Sequence, residues 1–552
     1  TVHAAEEREG DRPPGVGPFR PGRMLGQASL VPPAPRVIAS SEIVYGVVGT
    51  NDVGLSRYTT ASTNTRHSPF AHELTTVVES LTPESMPDAW MGLAAFDTIV
   101  WTAGDPAALG TERASAISAW VRRGGHLVVV LPTAGQEWTR SINNALAGLL
   151  PRVDIRRIPG VPLEPYRYLL TTDPDETLPA STVIQSLTPM DDATPAEAIE
   201  LLAGDNGTCV VAQRLVGVGA VTLIGLPLTT PSLAEAGLPE ASVFWNRVLG
   251  RRGEFVSGGE LSLRQTQANL APSDRVRVVY DADLSGRVAK TGRAAVGVLL
   301  GFGVFVAYWL IAGPLGFAIV RATGKARHAW VAFVAVAGLF TAVAWGGATL
   351  LRPRVVDANH FTIIDHVFGQ PVQRARSWIS VLVPFYGEAS IAVGAPSPSG
   401  AVRGGVDATL APWDGGDATV GGGFPDVRPY PVAAREPSAL RVPVRSTVKR
   451  LVSDWSSGPI WRMPRPVLDD AGIGTVQLRP RDRWRTESVL AGTLVHELPA
   501  ALENVLVVAS PGQTALGRPL RNNLVTDARA FKLPSWEPAT PLALAAVTKD
   551  AG

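Results

Sequence analysis

Two uncharged spans constrain this chain more than anything else in it. Ala294–Val320 runs for 27 residues and Ala329–Leu351 for 23, neither with a charged side chain. At 1.5 Å per helical residue they reach about 40 and 34 Å, enough to cross a hydrocarbon core of about 30 Å. A helix packed on a soluble core would be shorter and would carry a polar stripe. Two transmembrane helices are therefore expected, with Trp330 as an interfacial anchor. Eight residues, Arg321–His328, join the spans, so the helices form a tight antiparallel hairpin that returns the chain to the side it came from.

Orientation follows from basic residues. Arg321, Lys325 and Arg327 crowd the short loop, whereas Arg287, Lys290, Arg293, Arg352 and Arg354 are spread over the outer flanks. By density the loop is expected in the cytoplasm and both flanking regions outside. The chain starts at Thr1 without a signal peptide. An exported N-terminal region needs a signal or an earlier anchor, so a mature form or a fragment is expected.

The spans divide the 552 residues into a flexible Pro-, Gly- and Arg-rich leader (1–40), an α/β domain (41–255), a linker (256–293), helix (294–320), basic loop (321–328), helix (329–351) and a β-rich domain (352–552). Only 18% of the chain is charged, against roughly 25% in typical soluble proteins, and the spans account for part of that deficit. With 50 basic and 49 acidic residues, the charge balance offers no reason to expect a nucleic-acid partner. The single cysteine, Cys209, rules out an intrachain disulfide framework and any cysteine-cluster metal site.

Between 41 and 255 the pattern is βα. Ile43–Val48 is an apolar strand ending in the turn Gly49-Thr50-Asn51-Asp52, and Ser68-Pro69 reads as a helix start. Thr75–Glu79 and Asp97–Trp101 read as strands, and Gly104-Asp105-Pro106 as a turn. Thr111 is expected to cap a helix bearing Ala114, Ile117 and Val121 inward, stopped by Gly124-Gly125. Leu127–Leu131 completes a right-handed parallel crossover as a strand buried on both faces. Cys209–Gln213 and Val221–Gly225 flank Gly217-Val218-Gly219 as a hairpin, and a helix over 242–249 buries Phe244, Trp245 and Val248. In such a sheet ligands bind beyond the carboxyl ends of strands, where Asn51, Asp52, Asp105, Thr133, Glu137 and Trp138 fall. These six form a candidate ligand pocket; ordinary turn and cap duty is the competing account.

The β-rich region shows short strand-like segments at 355–364, 378–384, 442–445, 475–478 and 505–509 among Gly and Pro clusters, which suggests an antiparallel sandwich. Arg479, Arg481, Arg483 and Arg485 alternate along one segment, so four guanidiniums on one strand face could meet an acidic partner or lipid headgroups. A solvated edge strand is the alternative. Asp357, His360, Asp365 and His366 alternate between faces and are not expected to converge on a metal.

The run FDTIVWTAGDPAALGTERASAISAWVRRGGHLVVVLP, with GVGAVTLIGLPL and FWNRVLG further on, resembles the core of class I glutamine amidotransferase-like domains. That resemblance implies a flavodoxin-like or amidotransferase-like parallel sheet. The family's nucleophile is a Cys on a strained turn, and the corresponding turn here, Leu131-Pro132-Thr133-Ala134-Gly135, has none. Cys209 lies inside an apolar strand. No catalytic residue, cofactor or metal ligand is assigned. The whole layout, with Tyr308-Trp309-Leu310-Ile311-Ala312-Gly313-Pro314-Leu315 in the hairpin, is similar to a poorly characterised group of bacterial envelope proteins. Association with MoxR-type ATPases and von Willebrand-type membrane proteins in the cytoplasmic membrane is what that similarity implies. The resulting expectation is a non-catalytic, membrane-anchored protein whose two domains bind a protein or glycan. A carboxylate-dependent hydrolase using Asp105 or Glu137, or an accessory subunit of a transport or sensor complex, are the alternatives.

Overall fold

A computed structural model describes residues 43–57, 75–249 (except 135–136, 141–142, 172 and 195), 288, 291–351, 356–383, 386–394, 407–412, 437–445, 448–457, 461–468, 476–482, 485–509 and 529–547. It also describes the short strands Val2–His3, Met24–Gly26, Thr60–Ser62 and Ala71–Glu73. The remainder of the leader, most of the linker and the glycine-rich stretch 415–423 lie outside the described residues.

The α/β domain is built on a mostly parallel sheet of seven strands. In chain order these are β1 (Ile43–Val48), β2 (Thr75–Leu81), β3 (Thr98–Trp101), β4 (His126–Val130), β5 (Ile199–Ala203), β6 (Cys209–Val216) and β7 (Gly219–Ile224). Their spatial order is β5-β6-β7-β4-β3-β1-β2. Strands β2, β1, β3, β4 and β7 are parallel, and β5 and β6 extend the β7 edge antiparallel. The parallel part thus has the 2-1-3-4-5 order of flavodoxin-like folds. Its central strands are largely apolar because both faces are covered. Tyr45, Val47, Tyr166 and Trp245 pack on one side, and Trp101, Ile117, Trp120 and Cys209 on the other. A separate antiparallel pair, Val153–Val161 with Thr182–Pro189, flanks the sheet.

Helix α1 (Gly110–Arg122) supplies the crossover between β3 and β4 and buries Ala114, Ile117 and Val121 as its spacing predicts. Thr111 lies inside the helix and does not cap it. Asp105 does the capping one turn earlier, its Oδ1 accepting from Ala107 N (2.9 Å) at the start of a short 3-10 turn. The helix ends in a Schellman motif: Gly125 N donates to Trp120 O, Gly124 N donates to Val121 O, and Gly124 takes φ +115°. After Ser68-Pro69 the expected helix is replaced by strand Ala71–Glu73, which pairs with Thr60–Ser62. Helix α2 (Ala241–Val248) buries Phe244, Trp245 and Val248 completely.

Gly217 and Val218 turn the β6–β7 hairpin, with Gly217 at φ +63°. A Cβ on Gly219 would lie 2.0 Å from Val121 O and 2.4 Å from Gly125 O, so only glycine lets this strand pass the end of α1.

Two exposed apolar helices follow. Gly301–Ala322 and Ala326–Gly347 are each long and apolar enough to cross a membrane. The first begins as α3 (Thr291–Leu310), three residues before the expected start. It widens at Ile311–Leu315, where Gly313 leaves helical geometry beside Pro314, and resumes as α4 (Gly316–Ala322). Proline removes one N–H and clashes with the preceding turn, which accounts for the break. Helix α5 (Ala329–Leu351) has the expected bounds and meets α3 through the rings of Tyr308 and Phe340, 5.6 Å apart.

The β-rich region starts with a four-stranded antiparallel sheet of β8 (Asp357–Asp365), β9 (Gln373–Leu382), β11 (Asp407–Pro412) and β13 (Val448–Ser457), in spatial order β8-β9-β13-β11. It shares a core of Val381, Leu410, Leu440, Val442 and Leu451 with the pair β10 (Tyr386–Ala392) and β12 (Ala439–Arg445), which is sandwich-like packing. Beyond it β14 (Arg462–Pro466), β17 (Thr493–Glu497) and Leu542–Ala543 form a second small sheet. A separate core of Phe531, Leu544 and Leu494 lies in this second part. The strands on either side of Leu498-Pro499 do not pair with each other; Leu502–Ala509 pairs with Arg529–Trp536.

Replacing Gly219 with Ala should lower stability by about 1–3 kcal/mol or more, the usual range for overpacking. Gly148→Ala, where nothing lies within 4 Å of the new Cβ, should be near neutral. Thermal and urea denaturation of the two variants side by side checks this.

Candidate functional site

In a 2-1-3-4-5 sheet the ligand crevice opens between the first and third strands, where the chain switches direction across the sheet. Here that point is closed by hydrogen bonds. Val48 O, at the end of β1, accepts from Thr102 N (2.8 Å), Thr102 Oγ1 (3.0 Å) and Ala103 N (3.2 Å), all in the loop after β3. A Cβ on Gly49 would sit 2.4 Å from Thr102 Oγ1, so the two loops are in contact.

The six candidate pocket residues are distributed along this edge in turn and core roles. Asn51 Oδ1 accepts from Val53 N (2.9 Å). Asp52 accepts from Gly54 N (3.2 Å) and Ser56 N (3.0 Å). The loop they shape is anchored from α2, whose Trp245 Nε1 donates to Val53 O (3.0 Å). Asp105 is occupied by Ala107 N. Thr133 contributes its carbonyl, which accepts from Arg157 Nε (3.0 Å). Glu137 is exposed, whereas Trp138 is buried in the core edge-on to Trp101, ring centroids 5.1 Å apart. The structure therefore brings Asn51, Asp52 and Asp105 to one edge but gives each a backbone partner, and Trp138 belongs to packing.

Cys209 starts the antiparallel strand β6, away from the turn after β4. It is 5% exposed, its Sγ donates to Val211 O (3.3 Å), and burial pushes its pKa up to about 12. A thiol in that setting is neutral at physiological pH and inert as a nucleophile.

The arginine series is corrected in one respect. Asp482 pairs with Arg485, so Arg479 and Arg481 lie on β15 (Gln477–Asp482) and Arg485 on the antiparallel β16 (Arg485–Ala491). Arg483 lies outside the described residues. Four guanidiniums on one strand are therefore not what the fold presents: alternation in sequence does not place residues on one strand when the chain reverses within the run. In β8, His360 Nδ1 meets Thr362 Oγ1 (3.2 Å). Among the described residues no three His, Cys, Asp or Glu side chains come together.

Two arrangements were not anticipated. The first joins the α/β domain to the β-rich region. Arg123, just past α1 and 3% exposed, pairs with Asp454 of β13 and stacks over the Trp90 ring at 3.8 Å. Arg374 of β9 meets the same carboxylate through Nε (3.0 Å) and Nη2 (2.5 Å), and its Nη1 donates to Arg123 O (2.9 Å). Gln370 Oε1 accepts from Gly217 N (2.9 Å) at the tip of the β6–β7 hairpin. The second is a cleft of about 340 Å³ between the 366–369 turn and the segment 461–465.

No family model matches the chain, and no curated protein does. Among solved structures, the cytoplasmic protein STM1381 of Salmonella typhimurium LT2 is similar at 15% identity over 38% of this chain and 98% of its own, with a TM-score of 0.25. The cytoplasmic protein STM3548 of Salmonella typhimurium gives 13% identity over the same shares and a TM-score of 0.26. A cold-adapted β-galactosidase of Rahnella sp. R3 gives 10% identity over 74% of this chain and 40% of its own, with a TM-score of 0.20. Similarities of this size define no family for the chain, and the α/β class stands on the strand order itself.

Native protein should resist alkylation at Cys209: at pH 8 a thiol titrating near 12 is ionised in only about one molecule in ten thousand. Iodoacetamide labelling followed by mass spectrometry should show modification only after denaturation. Rapid labelling of the folded chain would contradict the burial described.

Proposed function

We propose that the chain is a membrane-anchored bacterial envelope protein with a degenerate amidotransferase-like domain, held with its β-rich region on the outer face of the cytoplasmic membrane. The two regions act as one non-catalytic unit that binds a partner. The observation that carries this reading is the Arg123–Asp454–Arg374 clasp, whose residues come from both sides of the helix pair. A hairpin of two spans returns the chain to its starting side, and only then do these residues meet. The absence of a Cys from the turn after β4 and the closed crevice support a binding role. The hydrolase alternative draws no support from Asp105, which serves its own turn. Basic residues in the 321–328 loop support its placement in the cytoplasm, where a MoxR-type ATPase would be accessible.

Membrane-impermeant maleimide applied to spheroplasts tests the topology, because native Cys209 is buried. Glu112→Cys and Glu503→Cys, at exposed positions, should label from outside, and Lys325→Cys should not. The reverse pattern would overturn the orientation, and labelling at only one of the first two would overturn the shared side.

Asp454→Ala should loosen the two regions by about 3–5 kcal/mol, the cost of leaving a buried charge without its partner. Faster hydrogen exchange confined to residues 121–125 and 370–376 would report it. Unchanged exchange there would show that the clasp does not hold the regions together.

A further inference from the structure

The cleft between the 366–369 turn and residues 461–465 belongs to neither the closed crevice nor the clasp. Its volume is about 340 Å³, and it is shallow and open to solvent, so a ligand there would keep one face in water. Trp461 and Phe368 line it and remain 42% and 53% exposed, an unusual state for two large aromatic rings on opposing segments.

Arg462 and Arg465 line the same cleft, and both reach one carboxylate, Glu497 of β17, at 3.5 and 2.6 Å. The Arg465 hydrogen bond holds the Glu497 carboxyl below its usual range, so Glu497 is ionised at neutral pH. Burial lowers the His366 pKa, so that imidazole is neutral there. Two guanidiniums thus face one carboxylate, leaving a net positive charge and most of their ten N–H donors directed elsewhere. His366 Nδ1 is buried without a hydrogen-bond partner. A ring flip, cheap for a terminal sp² torsion, turns that nitrogen to the other side of the ring.

We propose that this cleft binds an acidic saccharide, one sugar ring lying against Trp461 and Phe368 while its carboxylate is held by Arg462 and Arg465. Flat aromatic faces pack the C–H face of a sugar, and paired guanidiniums match a carboxylate in fork geometry. A sugar hydroxyl, both donor and acceptor, satisfies His366 in either tautomer. Two other occupants fit less well. A peptide adding as a strand needs N–H groups along the β14 edge, where Pro464 and Pro466 have none. A lipid headgroup surface is met by clusters of about four to eight basic side chains, whereas here two arginines share the Glu497 carboxylate.

The proposal rests on the reading above only for the compartment in which such a sugar is met, and purified protein tests the cleft by itself. Full-length chain in detergent is titrated by calorimetry with a trimer of galacturonic acid, its methyl ester and an acidic peptide of equal charge. Saturable binding of the acid, at least tenfold weaker for the ester, is the expected result. Trp461→Ala and Arg465→Gln should each weaken it at least tenfold. Trp461 is exposed enough that its variant should keep the parental melting temperature, which separates lost binding from lost folding. Equal affinity for acid and ester, unchanged affinity in Trp461→Ala, preference for the peptide, or no binding at all would each overturn the proposal. None of these outcomes bears on the maleimide pattern, so failure of the cleft and failure of the topology are read separately.

Discussion

Asp454 lies between Arg123 and Arg374, and the architecture turns on that contact because Arg123 and Asp454 are 331 positions apart along the chain. A carboxylate between two guanidiniums offsets much of its own desolvation, whereas Arg123, nearly excluded from water, would be costly without it. The contact is directional as well. Arg374 Nη1 donates to Arg123 O, so the side chain of one region reads the backbone of the other at the end of α1. The glycines beside it serve the same join: Gly124 ends the helix, and Gly217 lets the β6–β7 hairpin approach and offer its N–H to Gln370.

The same kind of backbone contact explains why the flavodoxin-like crevice holds no obvious site among the described residues. An open crevice at the switch point requires the loops after β1 and β3 to diverge. Val48 O instead gathers three donors from the other loop, and Asn51, Asp52 and Asp105 each satisfy local N–H groups. Among the described residues, a set of chemistry-bearing side chains that remains available lies in the β-rich region, where Trp461 and Phe368 stay exposed and Glu497 leaves two arginines with net charge.

Much of the α/β domain was legible from residue spacing. Apolar runs marked β1, β3 and β4 as strands, β4 as one buried on both faces, and Ala114, Ile117 and Val121 marked the buried stripe of α1. Errors arose where a local signal had two readings. Ser68-Pro69 suits a helix start or a turn, and the chain continues as a strand. Alternating arginines suit one strand or a hairpin, and the reversal after Asp482 separates Arg481 from Arg485. The clasp had only a faint trace in the sequence, a lone Asp454 within an otherwise strand-like run.

The sequence by itself determined the two long apolar helices, the short loop between them and the lack of a Cys in the turn after β4. These depend on composition within one segment, which no tertiary contact can alter. Only the tertiary structure decided that the crevice is closed, that Asp454 bridges the two regions and that Trp461, Phe368, Arg462 and Arg465 share a cleft. Each of those depends on strand order and register, which bring together residues from distant segments and are written in no single stretch of the chain.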